Sequence, residues 1–459
     1  MDFWAWAWVV GSVLFLISFH ITRFFLNLAF ATSAVITLCI LAVFSIVGLF
    51  KLRWEIGPLP KGFFWAFAAS LVALVVFPGA CWDQGHHIPA VQDLMANIHP
   101  LHIAKGLRPG VTGGFYHYGS EALTAVAILI SGGGSAKLVF KMVELLAGAA
   151  GFWLLYALIK AHFSDEAAVP GTMIFFWAGN FFVLMNLKGL FAGSGWHDVP
   201  KMVFYGEFAK GATPFPGYFF HLFHPPMALG FPILLVALWL ILRGGKARAL
   251  LSGLLLGPVA LANMALAVTL LGVLLLYPIM KRLIAKELNP IDHHLSLVAA
   301  LLSCLIIGLP FLLFRNAGPA LQFGPYWMLT LDLQHNAPYL LFAPLIFLGI
   351  PLFLAVPGFL LAFRTEKVER KGLAMFASLS IIGLLTPHFF GTHDFVKMFM
   401  VGSLGYSPLA GLVLARLWNK GWTWRMLAGI SVFGMALSPL AFYIFRWMSL
   451  THSAPFEFD

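Results

Sequence analysis

The sequence predicts an all-α, polytopic integral membrane protein of about thirteen transmembrane helices, each requiring roughly 20 apolar residues. Three observations lead there. Of 459 residues, 61% are hydrophobic and only 10% charged, and the mean hydropathy is +0.90. A soluble fold of this size has too little interior to hide so much apolar surface. The apolar residues also run in blocks of bilayer-crossing length. Finally, the Lys and Arg residues that give a formal net charge of +10 gather in short clusters between those blocks. Such spacing is a topology signal, so membrane lipids and no nucleic acid are the expected partners. Three cysteines make no disulfide framework, since Cys39 and Cys304 fall inside apolar runs and only Cys81 lies near an aqueous face.

The opening MDFWAWAWVV has neither a basic n-region nor a small-residue cleavage site. The first helix is therefore expected as a retained anchor, with Trp4, Trp6 and Trp8 in the interfacial aromatic belt. The first spans are expected at about 3–22, 24–50 and 62–80. Lys51, Arg53 and Lys61 follow the second, so that connection and the N-terminus belong in the cytoplasm and the loop 81–134 outside. The run from Gly119 to Ser131 would be about 20 Å long as a helix, short of the hydrocarbon thickness. It is expected to lie at the outer surface as a juxtamembrane helix, because a span there would put the basic connection RGGKAR (243–248) outside. Further spans then follow at about 136–160, 168–190 and 226–243. The stretch from Ala249 to Met280 is expected as a hairpin turning near Asn263, since the basic KRLIAK follows it. The last spans fall at about 293–314, 338–363, 372–390, 398–418 and 426–447. Residues 1–61 thus form two N-terminal transmembrane helices. Residues 62–447 form a core with outer loops 81–134, 191–226, 315–337 and 389–397, and 448–459 form a short outer tail.

Polar chemistry concentrates in the outer loops. The segment from Cys81 to Gly134 gathers Asp83, His86, His87, His117, Tyr118 and Glu121. Asp83 comes directly after a span, where partial desolvation can raise the basicity of a carboxylate and suit it to take a proton from a sugar or lipid hydroxyl; capping the next helix is the structural alternative. The loop 191–226 carries His197, Asp198, Lys201, Lys210, His221 and His224 among aromatics and glycines. Acids and aromatic faces suit a sugar ring and lysines a phosphate, while an amphipathic surface helix would use the same residues in the headgroups. GTHDFVKMFM puts His393, Asp394 and Lys397 where a span begins, within reach of a lipid phosphate. The pairs His99/His102 and His221/His224 are spaced i, i+3. They leave a divalent metal open beside the reading of loop histidines that bind backbone carbonyls. Lys141 and Glu144 share one helix face inside a span, which suits an interfacial ion pair or an intramembrane functional couple.

Several of these stretches resemble the GT-C superfamily of membrane glycosyltransferases, which use polyprenyl-phosphate-linked sugars. WDQGHHIPAVQDLMANI is similar to the start of that family's first large outer loop, with Asp83 in the place of its acid. FYHYGSEALTAVAILISGGG followed by a long span resembles its juxtamembrane helix, and ALLSGLLLGPVALANMALAVTLLGVLLLY its Gly-rich hairpin. THDFVKMFMVGSLGYSPL resembles its late outer-loop pattern. The resemblance covers roughly 62–447. Gln84 follows Asp83 where many members carry a second acid, and no WWDYG-like motif is present. The resemblance implies a GT-C-like fold and transfer of a sugar to a lipid or glycan acceptor at the outer face of a bacterial inner membrane. Asp83 would be the base, and the other outer-loop residues named above would bind substrate. A non-catalytic integral subunit or lipid-binding scaffold of a larger membrane complex is the alternative from another class.

Overall fold

The computed structural model describes residues 2–51, 64, 67–69, 72, 84–97, 118–179, 225–287, 289–313, 337–389 and 395–451. Among them every element is helical and no strand occurs. Helix α1 (Asp2–His20) runs on through a π-helical turn (Ile21–Phe25) and is followed by α2 (Phe30–Lys51). Two short helices come next, α3 (Gln84–Met95) and α4 (Gly119–Ile130), then α5 (Ala136–His162) and α6 (Asp165–Trp177). After them come α7 (Pro225–Arg243), α8 (Lys246–Leu254), α9 (Leu256–Ala262) and α10 (Met264–Ile284). The last five are α11 (Pro290–Leu313), α12 (Ala337–Arg364), α13 (Arg370–Phe389), α14 (Phe395–Asn419) and α15 (Trp422–Thr451). Among the described residues, six helices are long and apolar enough to cross a membrane: Trp4–Phe25, Ala136–His162, Pro225–Arg243, Met264–Ile284, Pro290–Gly308 and Met400–Asn419. The chain is a membrane-embedded helical protein, and the large apolar side chains exposed on α2, α10, α11 and α15 face the lipid that such helices require.

Helix α14 sits at the centre of one half of the bundle, packed against α6, α12 and α13. Its small residues make this three-sided packing feasible. A Cβ added at Gly383 would overlap the backbone of Gly402, one at Gly405 would strike the backbone of α13 at Ser380, and one at Gly411 would strike Gly171 on α6. Backbones in contact gain dispersion energy that lipid tails cannot match. In the other half, α7 is buried along nearly its whole length between α1, α5, α9 and α10.

The break expected near Asn263 is present. Asn263 is extended (φ −159°, ψ 124°) and its Oδ1 accepts from the backbone N–H of Ala265 at 3.0 Å, capping α10 inside the bundle. The segment α8–α9 leads in from the end where Gly245 N–H donates to Asp292 Oδ2 at 2.8 Å, and α10 returns to that end, where Lys281 meets Glu287. One expectation fails. Helix α4 does not lie on a surface, because Gly119, Ser120, Glu121, Ala122, Thr124, Ala125, Val126 and Ile128 are all buried. A Cβ on Gly119 would press on Leu16 of α1 and the carbonyl of Leu261. Its small residues let α4 wedge into the bundle, and only its last turn emerges, at Ile130.

The basic connections, far apart in sequence, converge on one end of the bundle. Trp6 meets Trp239 edge to face and the Arg243 guanidinium lies over Trp239, which puts the start of α1 beside the end of α7. His162 Nδ1 meets Glu369 Oε2 at 3.2 Å, Glu369 N–H donates to the Phe163 carbonyl, and Arg416 pairs with Glu166 at 2.7 Å. Lys281 and Lys371 both reach Glu287, each at 3.2 Å.

Burial pushes the Glu287 carboxyl up, but its hydrogen bonds with Lys371 and Lys281 and their charges outweigh that and hold it below the usual carboxylate value. A carboxylate depressed in the folded state contributes stability in full above its unfolded-state value and loses it as pH falls through the lower folded value. We therefore expect wild-type melting temperature to decline on acidification below about pH 4.3 more steeply than that of Glu287→Gln. The side chain is 47% exposed, so the difference should be small and should shrink in 1 M salt, roughly a 3 Å screening length. Parallel acid limbs at low salt would rule the contribution out.

Candidate functional site

At the end of the bundle away from the basic connections, α1, α3, α4 and α5 bury a polar assembly. It begins where α1 stops being regular. The Leu26 N–H donates to the Ile21 carbonyl at 2.8 Å, five residues back, which widens the last turn into a π-helix. A π turn of this kind often marks a functional position. It presents Arg23, whose Nη1 donates to the Leu28 carbonyl at 3.1 Å and whose Nη2 donates to the Asn97 carbonyl at 2.8 Å. Asn97 has a left-handed backbone (φ 64°), which asparagine tolerates better than most residues. Its Oδ1 accepts the Phe30 N–H at 2.7 Å. Arg23 and Asn97 thereby tie the exit of α3 to the turn between α1 and α2.

His20, the last residue of α1, and Tyr118, just ahead of α4, are both wholly buried, with Nδ1 and the phenol oxygen 2.5 Å apart. Burial pushes the Tyr118 phenol well above its ordinary range, partly offset by the Arg23 charge. Which of the two rings donates depends on the imidazole tautomer. Phe24 packs edge-on against the Tyr118 ring, with centroids 4.8 Å apart.

The second couple joins α3 to α4. His87 Nδ1 lies 2.5 Å from Glu121 Oε1, and the Ser120 hydroxyl donates to Glu121 Oε2 at 2.8 Å. Both partners are buried, at 2% and 0% exposure, a placement that ionisable groups accept only when paired. Glu121 stands in the first turn of α4, where the helix dipole favours a carboxylate. His87 also meets the Phe140 ring of α5 edge-on. One turn farther along α5, Glu144 is wholly buried with Lys141 Nζ 4.0 Å from its Oε2. Neither Glu144 oxygen is hydrogen-bonded among the described residues, and the same holds for the Thr124 hydroxyl on α4. The turn between Ile130 and Ala136 makes α4 and α5 a hairpin. At about 1.5 Å per residue, Thr124, Glu144 and Glu121 stand roughly 9–14 Å from that turn, at similar depth.

Chemically, an imidazole bound through Nδ1 to a buried carboxylate is fixed in orientation. Such a couple can orient a hydroxyl or pass a proton. Among the described residues no group of three His, Cys, Asp or Glu has metal-holding geometry.

Of the residues expected from the sequence, the structure brings His87 and Glu121 into direct contact and puts Tyr118 beside them at the start of α4. His86 and Lys397 are placed as backbone in α3 and α14. Asp83, His117, His197, Asp198, Lys201, Lys210, His221, His224, His393 and Asp394 lie outside the described residues, as do His99 and His102. Sequence reasoning missed His20, Arg23, Asn97 and Ser120. The available signal was His20 and Arg23, ionisable residues three apart at the end of the first apolar run.

Compared with known proteins, the chain matches no family model, no curated protein and no solved structure. We expect Arg23→Ala to remove two charge-assisted bonds worth about 1.5–3 kcal/mol each. The purified protein should melt at lower temperature, and amide exchange should speed up in 84–97 before it does in α5. Unchanged exchange in α3 would show that Arg23 does not hold it.

Proposed function

We propose that the chain is an inverting membrane glycosyltransferase with a GT-C-like core of about thirteen spans, acting at the outer face of a bacterial inner membrane. It would move a sugar from a polyprenyl-phosphate donor to a lipid or glycan acceptor. The observation that carries the reading is the buried His87–Glu121 couple on α3 and α4. Helix α3 begins at Gln84, directly after Asp83 in the chain, so the segment bearing the proposed base leads into a helix braced at His87 and again at Asn97. Transferases need such rigid support for a base that must meet its substrate within hydrogen-bond reach.

In the proposed step the acceptor hydroxyl gives its proton to Asp83 as its oxygen attacks the anomeric carbon. The bond from that carbon to the phosphate oxygen breaks with inversion, and the leaving lipid phosphate is met by Lys201, Lys210 and Lys397. The donor's tail lies between apolar helices open to the bilayer.

Transfer from polyprenyl-phosphate sugars by the purified protein is the direct assay. We expect Asp83→Asn to lower turnover roughly 100-fold or more with membrane insertion intact. Equal rates would remove Asp83 from the mechanism. Absence of transfer from every donor, together with co-purification of other subunits, would favour a non-catalytic scaffold.

The convergence of basic connections supports an orientation with that end, and the N-terminus, in the cytoplasm. In a background with Cys39, Cys81 and Cys304 replaced by serine, Ala247→Cys lies in the exposed start of α8. It should resist a membrane-impermeant thiol reagent in intact cells and react after lysis. Full labelling in intact cells would invert the orientation.

A further inference from the structure

Helix α10 presents two unlike faces. Leu270, Val273, Leu274 and Tyr277 are buried in the bundle, and one turn beyond Tyr277 this face ends in Lys281, which pairs with Glu287 at 3.2 Å. The other face carries Leu271, Leu275, Ile279 and Leu283, all exposed and four residues apart, hence a single stripe. It ends in Arg282, also exposed. Arg282 lies seven residues beyond Leu275 and 11 beyond Leu271, about two and three helical turns, so it stands in line with the stripe. From Leu271 to Arg282 the helix rises about 16 Å at 1.5 Å per residue, about half of the roughly 30 Å hydrocarbon core. The stripe is therefore as long as one leaflet is deep, with the guanidinium at the level of that leaflet's phosphates.

Charge at this end is unbalanced. Lys281 and Lys371 share the single carboxylate of Glu287, each at 3.2 Å. Asp292, the next acid along the chain, takes the Gly245 N–H and the Asn289 amide on one oxygen. Among the described residues no carboxylate pairs with Arg282. Lys286, exposed about one turn beyond it, adds a further cation at a left-handed position (φ 58°) that glycine would fill at less cost. Lys281, Arg282, Lys286 and Lys371 thus have one ion-paired carboxylate among them, and what the end of α10 lacks is an anion. We infer that the exposed face of α10 binds an anionic phospholipid, with its phosphate on Arg282 and an acyl chain along the Leu271–Leu283 stripe. A guanidinium can hold two phosphate oxygens at once. A glycerol head leaves the phosphate charge for the protein to meet, whereas choline and ethanolamine heads bring their own cation toward four basic side chains. The inference is independent of the glycosyltransferase reading.

Native mass spectrometry of the delipidated full chain in detergent tests it, with phospholipids of equal acyl chains and glycerol, choline or ethanolamine heads added one at a time. We expect the first glycerol-headed lipid to bind roughly tenfold more tightly than either of the others, as attraction of anionic lipid by juxtamembrane basic residues predicts. Arg282→Gln keeps a long polar side chain at an exposed position and should fold normally; it should lose most of that preference. Lys420→Ala removes another exposed cation, one that lies over Trp424 between α14 and α15, and should retain it. Equal binding of the three lipids, the result if Arg282 only offsets the dipole at the end of its helix, overturns the inference. So does a glycerol preference that survives in Arg282→Gln, or one that falls as far in Lys420→Ala, which would mean a diffuse field and no site on α10.

Discussion

In a bilayer the lipid tails are as apolar as leucine, so helices gain little by hiding leucines from them, and association depends on how closely backbones can approach. That constraint is most visible around α14. Gly402 against Gly383, Gly405 against Ser380 and Gly411 against Gly171 leave no space for a Cβ, and α6, α12 and α13 all lean on this one helix. The same rule operates in the other half of the bundle. There Gly151 meets Phe231, and Gly230 meets Ala262 and Leu266. Because α7 is held this closely, the cap at Asn263 and the start of α4 are held at a defined depth beside it.

Close packing of backbones also determines where polar side chains can go. A buried polar group in such a bundle must find a partner within it, and the two ends meet that demand differently. One end uses partly exposed ion pairs among Lys281, Glu287, Lys371, Arg416 and Glu166, which are individually weak and screened by salt. The other end buries its groups. His20 with Tyr118 and His87 with Glu121 and Ser120 are enclosed almost completely. Enclosed couples restrict orientation strongly, because each unmade bond would be costly. Rigidity at that end is what an active site would require, and looser ion pairs at the other suit an interface with headgroups.

Much of the architecture was legible because it follows from periodicity and charge. Blocks of apolar residues marked α1, α5, α7, α10, α11 and α14 to within a few residues. Clusters such as RGGKAR and KRLIAK identified connections that share an end, and Asn263 marked a turn because an amide can cap the helix that follows it. The placement of α4 was misread. Its length argued against a span, but length says nothing of whether a short helix lies on the surface or wedges between others, and the small residues Gly119, Ser120 and Ala122 that permit the wedge are not distinctive by themselves.

By itself, then, the sequence determined the helical class, the membrane setting, the segregation of basic residues and the pool of polar residues from which a site could be drawn. Those properties are carried by composition and local spacing, which need no knowledge of distant neighbours. Only the tertiary structure decided which members of the pool meet and which residues outside it join them. His87 and Glu121 stand 34 residues apart, His20 and Tyr118 98, and Arg23 and Asn97 74. No local pattern encodes those pairings, since each depends on where close-packed backbones allow α3 and α4 to sit against α1.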